Sequence, residues 1–117
     1  MKDYRELKVW QRSHWLTMEI YRLTKVFPKD ELDGLASQLR RCSSSIPANI
    51  AEGGGRDGDA ELKRSMSIAP GSACELDYFI FLGSELGYIE AQAAVHAAAE
   101  ILEIRRMLGS FILKLKA

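Results

Sequence analysis

The stretch Cys42-Ser43-Ser44-Ser45-Ile46-Pro47-Ala48-Asn49-Ile50-Ala51-Glu52-Gly53-Gly54-Gly55 decides how many helices this chain holds. Upstream, Leu32, Leu35, Leu39 and Cys42 recur at helical three- and four-residue steps, and Ile46 and Ile50 carry the same stripe past Pro47. A proline inside a helix removes an N–H, here the one that the Ser43 carbonyl would accept, and its ring crowds that carbonyl, at about 3 kcal/mol. The serines at 43, 44 and 45 carry hydroxyls able to satisfy the freed group. The stretch therefore predicts one continuous helix kinked at Pro47 rather than two separate ones.

Three breakpoints frame that helix. Phe27-Pro28-Lys29-Asp30 ends the preceding segment and offers Asp30 as a cap for the next. The glycine run at 53–55, closed by Gly58, ends the second helix, and Gly87 can take the left-handed conformation that ends the third. The first helix, roughly 5 to 27, bears Val9, Leu16, Ile20, Leu23 and Phe27, with Leu7, Trp10, His14 and Tyr21 beside them. The third, about 59 to 86, carries Leu62, Met66, Ala69, Ala73, Leu76 and Ile80 on one stripe and Ile68, Phe79, Leu82 and Leu86 on another. Within it Pro70 raises the question of a second kink, its clash falling on the carbonyl of Met66. The fourth, roughly 90 to 116, shows Ala94, Ala98, Ile101, Leu108, Ile112 and Leu115, flanked by Ile104 and Phe111. No strand-like alternation or internal repeat appears. The expected fold is all-α, an antiparallel up-and-down four-helix bundle occupying residues 1–117 as a single domain. The apolar faces are wider than one bundle seam needs, and Tyr78-Phe79-Ile80-Phe81-Leu82 is apolar all round. That surplus predicts self-association.

Composition narrows the function classes. Over 117 residues, 16 basic side chains balance 16 acidic ones, so no overall basic excess drives nonspecific binding to nucleic acid. No run approaches the roughly 20 apolar residues of a membrane span, and no apolar signal segment follows Met1, so the chain reads as cytoplasmic with no membrane partner. Cys42 and Cys74 lack zinc-ligand or redox spacing and lie in apolar-periodic stretches, which makes both reduced core thiols.

One set of residues carries a family likeness: Trp10-Gln11, Tyr21, Phe27-Pro28-Lys29-Asp30-Glu31, Gly34-Leu35, Gln38-Leu39-Arg40-Arg41, Ser45-Ile46-Pro47-Ala48-Asn49-Ile50-Ala51-Glu52-Gly53, Arg56, Gly71-Ser72, Glu75-Leu76 and Leu86-Gly87-Tyr88-Ile89. Together they resemble the bacterial four-helix-bundle proteins of 23S ribosomal RNA intervening sequences, whose relatives include the accessory variability protein of diversity-generating retroelements. The resemblance spans nearly the whole chain. It implies a four-helix bundle, commonly assembled as a ring of five subunits, with no known catalytic activity. The retroelement relative associates with a reverse transcriptase and with nucleic acid through basic surfaces, which makes RNA or an RNA-binding protein the candidate partner here. Three positions depart from the pattern: Gly54 replaces an aromatic residue, Gly58 replaces a capping Ser or Thr, and Pro70 stands where a basic residue is common.

Enzymatic constellations are absent from the pattern. His14 and His96 belong to no ligand motif, so neither a metal nor another cofactor is implied. Asp57, Asp59 and Glu61 lack the calcium-loop spacing and read as helix-start acids. The glycine run has no Gly-Lys-Ser/Thr after it, and the serine cluster has no base. Glu52 and Glu75 invite comparison with a paired-carboxylate site, but a structural polar network with Asn49, or with Arg40, Arg41 or Arg56, outweighs it. No residue is expected to be catalytic.

Charge is nevertheless segregated. Residues 1–56 hold ten basic and seven acidic side chains, or +3, and residues 57–117 hold six and nine, or −3. Arg5, Lys8, Arg12 and Arg22 share one face of the first helix with Trp15, interrupted by Glu19, an interleaving suited to RNA phosphates and stacked bases. Arg40, Arg41, Arg56, Lys63 and Arg64 form a second candidate nucleic-acid-binding group. The plainer reading makes these a solvated face, or the positive half of a subunit interface that meets the acidic C-terminal half. Two functions stay open at this point: a self-assembling, five-subunit bundle that binds RNA or a ribonucleoprotein, and a protein scaffold that binds no nucleic acid.

Overall fold

The computed structural model describes residues 3–54 and 58–115. Within them the chain forms α1 (Lys8–Thr24), α2 (Leu35–Gly54), α3 (Gly58–Met66), α4 (Ala69–Glu85) and α5 (Ala91–Leu113). Short links force sequential helices to lie side by side, giving a rod of 44 × 23 × 20 Å. α2 is the central element: it packs against α1 on one side and against α3 and α4 on the other, while α5 lies on α4 and touches α1. α3 and α4 together form the third arm, so the molecule is the expected all-helical four-helix bundle.

α2 runs unbroken through Pro47. The group that meets the freed Ser43 carbonyl is not a nearby serine. It is the hydroxyl of Thr17 on α1, whose Oγ1 lies 2.9 Å from that carbonyl and 2.9 Å from the carbonyl of Ser13, with one proton to share between them. The serines are engaged elsewhere: Ser43 and Ser44 bond back to the carbonyls of Arg40 and Arg41, and Ser45 bonds Ser72 of α4. The defect in one helix is thus repaired by its neighbour.

The third arm is interrupted at Ser67 and Ile68. Met66 ends α3, the Ile68 N–H reaches back only three residues to the Ser65 carbonyl, and α4 begins at Ala69. Pro70 then occupies the first turn of α4, where its missing N–H has no helical partner to lose. At the other end of α4, Gly87 adopts φ +81°, as expected of a helix terminator, with the Tyr88 N–H bonded to the Gly83 carbonyl. Gly58 stands at φ +82°, a conformation that a capping Ser or Thr would strain. Two helix starts also differ from expectation. Residues Tyr4–Glu6 form a separate 3-10 turn capped by Asp3, and Lys29–Glu31 form another, so that Glu31 rather than Asp30 accepts the Leu35 N–H at the start of α2, at 3.1 Å.

The core follows the predicted stripes on three arms. Val9, Leu16 and Ile20 of α1 meet Leu39, Ile46 and Ile50 of α2, and all six apolar positions from Leu62 to Ile80 are buried. Ala69 and Ala73 allow α4 to lie close against α2. On α5 the buried stripe is Ala97, Ile101, Ile104 and Leu108, so this helix is rotated from the predicted setting and Ala94 and Ala98 are only half-buried.

Candidate interaction surfaces

Most of the cations proposed to face RNA have partners inside the chain. Arg12 reaches across to α5 and grips Glu100 with two bonds, Nε to Oε2 at 2.9 Å and Nη2 to Oε1 at 2.7 Å. The guanidinium holds the Glu100 carboxyl below the usual carboxylate range against the opposing effect of partial burial. Arg22 forms the same fork with Glu19 one turn earlier on α1, at 2.7 and 2.6 Å, which lowers the Glu19 carboxyl likewise. Arg5 lies 3.5 Å from Asp3 and over the Tyr4 ring. Arg64 stands 3.7 Å from Glu61, both on α3, where Lys63 is half-buried beside them.

Arg40 differs from the others. Its Nε donates to Thr24 Oγ1 at 2.8 Å and its guanidinium lies 4.9 Å from the centre of the Tyr21 ring, so a cation is fixed against the end of α1 without a carboxylate contact. Lys8 and Arg41 are exposed and make no ion pair among the described residues. Arg56 lies outside the described residues. Arg40 thus ties the second basic group to α1 through Thr24 and Tyr21.

The polar residues Asn49, Glu52 and Glu75 share no direct hydrogen bond with one another among the described residues. They belong to separate bridges along a single stripe of α2 at positions 42, 45, 49 and 52, facing α3 and α4. The Cys42 thiol donates to Glu75 Oε1 at 3.0 Å; Ser45 and Ser72 share a bond at 2.9 Å; Asn49 Nδ2 donates to the Ser45 carbonyl at 2.7 Å; and Ser65 donates to Glu52 at 3.3 Å. Both glutamates are exposed. Their α2 anchor points are ten residues apart, about 15 Å along a helix, so the two carboxylates do not share a reaction site. Among the described residues no group of three His, Cys, Asp or Glu side chains is placed to hold a metal.

The cysteines separate. Cys42 is buried, and burial together with the Glu75 carboxylate pushes its thiol up to about 12. Cys74 is exposed, contrary to the expectation of two core thiols, because α4 is apolar on its outer face as well as its inner one.

That outer face borders a groove that the sequence periodicity does not locate. Between α4 and α5 runs an open groove of about 560 Å³, walled by Cys74, Tyr78, Phe81, Ala94, Val95 and Ala98, with Asp77 and Glu85 on its rim. Phe81 is 61% and Val95 70% exposed. A second apolar surface lies on α1, where Trp15 is 68% exposed beside Met18 and Tyr21, bordered by Arg22 and Lys25. The surplus apolar width read from Tyr78-Phe79-Ile80-Phe81-Leu82 is exposed at Tyr78 and Phe81, whereas the exposure of Val95 on α5 had no such signal. Among the described residues, no helix is long and apolar enough to cross a membrane.

Comparison with known proteins agrees with this architecture. A solved structure of a protein of unknown function from the S23 ribosomal protein family of Bacteroides thetaiotaomicron superposes with a TM-score of 0.82 at 25% identity, covering 91% of this chain and 96% of that one. No curated protein sequence matches the chain. The model of the family described as 23S rRNA-intervening sequence protein matches residues 5–110. With nearly its whole length matched, the chain belongs to the 23S rRNA-intervening sequence protein family.

Proposed function

We propose that this protein is a non-enzymatic helical subunit that assembles with copies of itself in the cytoplasm, five being the expected number, and offers the assembled surface to RNA or a ribonucleoprotein. The observation that carries the reading is the exposure of Trp15, Met18, Tyr78, Phe81 and Val95 on a bundle whose core is already filled. A monomer seldom leaves aromatic side chains clustered in water on two faces. The separation of Glu52 from Glu75 supports a role without catalysis. RNA contact draws support from the family description and from Arg40, Lys8 and Arg41, cations that no carboxylate neutralises among the described residues. One subunit offers few of them, and repetition around an assembly converts weak contacts into avidity.

A second reading, a scaffold that binds no nucleic acid, draws on a different observation: Arg12 and Arg22 are already committed to Glu100 and Glu19. Size exclusion with light scattering at low salt, repeated after addition of a structured RNA, separates the two. The proposal expects a multiple of 13.1 kDa with RNA co-eluting. A multiple that ignores RNA supports the scaffold, and a 13.1 kDa species refutes both.

A further inference from the structure

Surface acids on three of the helices have a cation of their own. Glu19 on α1, Glu61 on α3 and Glu103 on α5 each meet an arginine three residues on, at 2.6, 3.7 and 3.2 Å. Helix α4 differs: it holds no lysine or arginine from Ala69 to Glu85. Its Glu75 accepts the Cys42 thiol, but Asp77 and Glu85 form no ion pair among the described residues. Both of these acids wall the groove between α4 and α5. They stand eight residues apart, about 12 Å along the helix axis, with the exposed Phe81 midway between them. Across from them α5 contributes Ala94 and Ala98, whose short side chains leave the groove open, and no basic residue is among those that wall it.

From this spacing of two unpaired carboxylates along an apolar trough we infer that the groove is a binding site for a linear organic dication, with one ammonium group at Asp77, the other at Glu85 and the apolar chain that joins them laid over Phe81 against Ala94 and Ala98. The volume of about 560 Å³ is that of a small-molecule site. A single metal ion does not suit it, because carboxylates two helical turns apart cannot share one, and no metal-holding group of side chains occurs among the described residues. Each ammonium at an exposed acid contributes little alone. Joined by a chain whose length matches the gap, the second contact becomes intramolecular and the chain leaves water as well. The site is separate from the function proposed above, except that a subunit covering the groove and a dication bound in it exclude each other.

The test follows the amide shifts of the full chain by heteronuclear NMR in dilute protein at low salt, with the mass checked by light scattering. Four probes are titrated: diaminooctane and diaminobutane with terminal amines, octylamine, and magnesium chloride. Diaminooctane should give saturable shifts along Asp77–Glu85 and Ala91–Ala98, binding about 3-fold more tightly than octylamine, which reaches one acid. It should exceed diaminobutane, too short to reach both acids, by about 10-fold. Magnesium should leave these amides unmoved. A variant carrying Asp77→Asn and Glu85→Gln, its fold checked by circular dichroism, should bind diaminooctane no better than octylamine. Equal affinity of wild type for diaminooctane and octylamine overturns the proposal, as does a variant that keeps the preference, or shifts that fall outside the groove or do not occur. Should the double variant lose its fold, Glu85→Gln alone carries the same expectation, and the order of the four probes on wild type decides independently of any variant.

Discussion

The two cysteines of this chain stand in two unlike regions of one bundle. Cys42 lies on the inner seam, where α2 meets α3 and α4; small residues close the gap between helices, and the buried side-chain nitrogen and oxygen atoms all have partners among the described residues. Cys74 lies on the outer groove between α4 and α5, where large apolar side chains meet water and Asp77 and Glu85 form no ion pair among the described residues. The inner seam is chemically complete within one chain. The outer groove leaves its apolar side chains facing water within one chain. Helix α4 borders both, which explains why it is apolar nearly all round.

The sharpest break in the comparison comes from the seam. Leu76 is fully buried on α4, and Leu76→Ala should cost about 3 kcal/mol through lost burial and the cavity left behind. Chemical denaturation should show that loss even in dilute protein. Thr17→Val comes next: it strips the hydroxyl that serves the Ser43 carbonyl, for a loss of about 1–2 kcal/mol. Pro47→Ala restores an N–H that can bond that carbonyl, so the cost of Thr17→Val should shrink in the Pro47→Ala background. Equal costs in both backgrounds, measured by a double-mutant cycle, would contradict the repair between helices.

Smaller effects sharpen the contrast. Glu100 is held below its ordinary value by Arg12, so its contribution is fully present above the ordinary carboxylate range near 4.5 and disappears as pH falls through the lowered value. Both partners are partly exposed, and solvent screening limits the pair to under about 1 kcal/mol. Glu100→Gln should therefore destabilise at pH 7 and match wild type in strong acid. Thiol alkylation at pH 8 should mark Cys74 alone, because the Cys42 thiol, raised to about 12, remains protonated and buried. The rate at Cys74 should fall as protein concentration rises and the groove is covered. Least of all should Phe81→Ser affect the unfolding of the dilute chain, within about 0.5 kcal/mol, although it removes part of the groove.

Much of the inner region was legible in the residues. The stripe from Leu62 to Ile80 is core, α2 continues through Pro47, and Gly87 turns the chain at a positive φ, because local periodicity and backbone chemistry control those features. Features set by tertiary contact were not. Thr17 is 26 residues from the carbonyl it serves, and Glu100 is 88 from Arg12; neither separation leaves a local signature. The setting of α5 was misjudged since its alanines are small enough to fit either a core or a groove wall. Cys74 was misplaced for a related reason: a helix apolar on two faces offers no periodicity by which to choose between them.

The proposal that the exposed apolar face of α1 is a subunit contact can be tested on Trp15 itself. The chain has two tryptophans, and Trp10→Phe leaves Trp15 as the sole reporter. Its emission and acrylamide quenching should be followed from nanomolar to tens of micromolar protein. The account predicts a blue shift and protection from quenching as concentration rises, with return to a water-exposed signal on dilution. A Trp15 that is equally exposed at every concentration would contradict it.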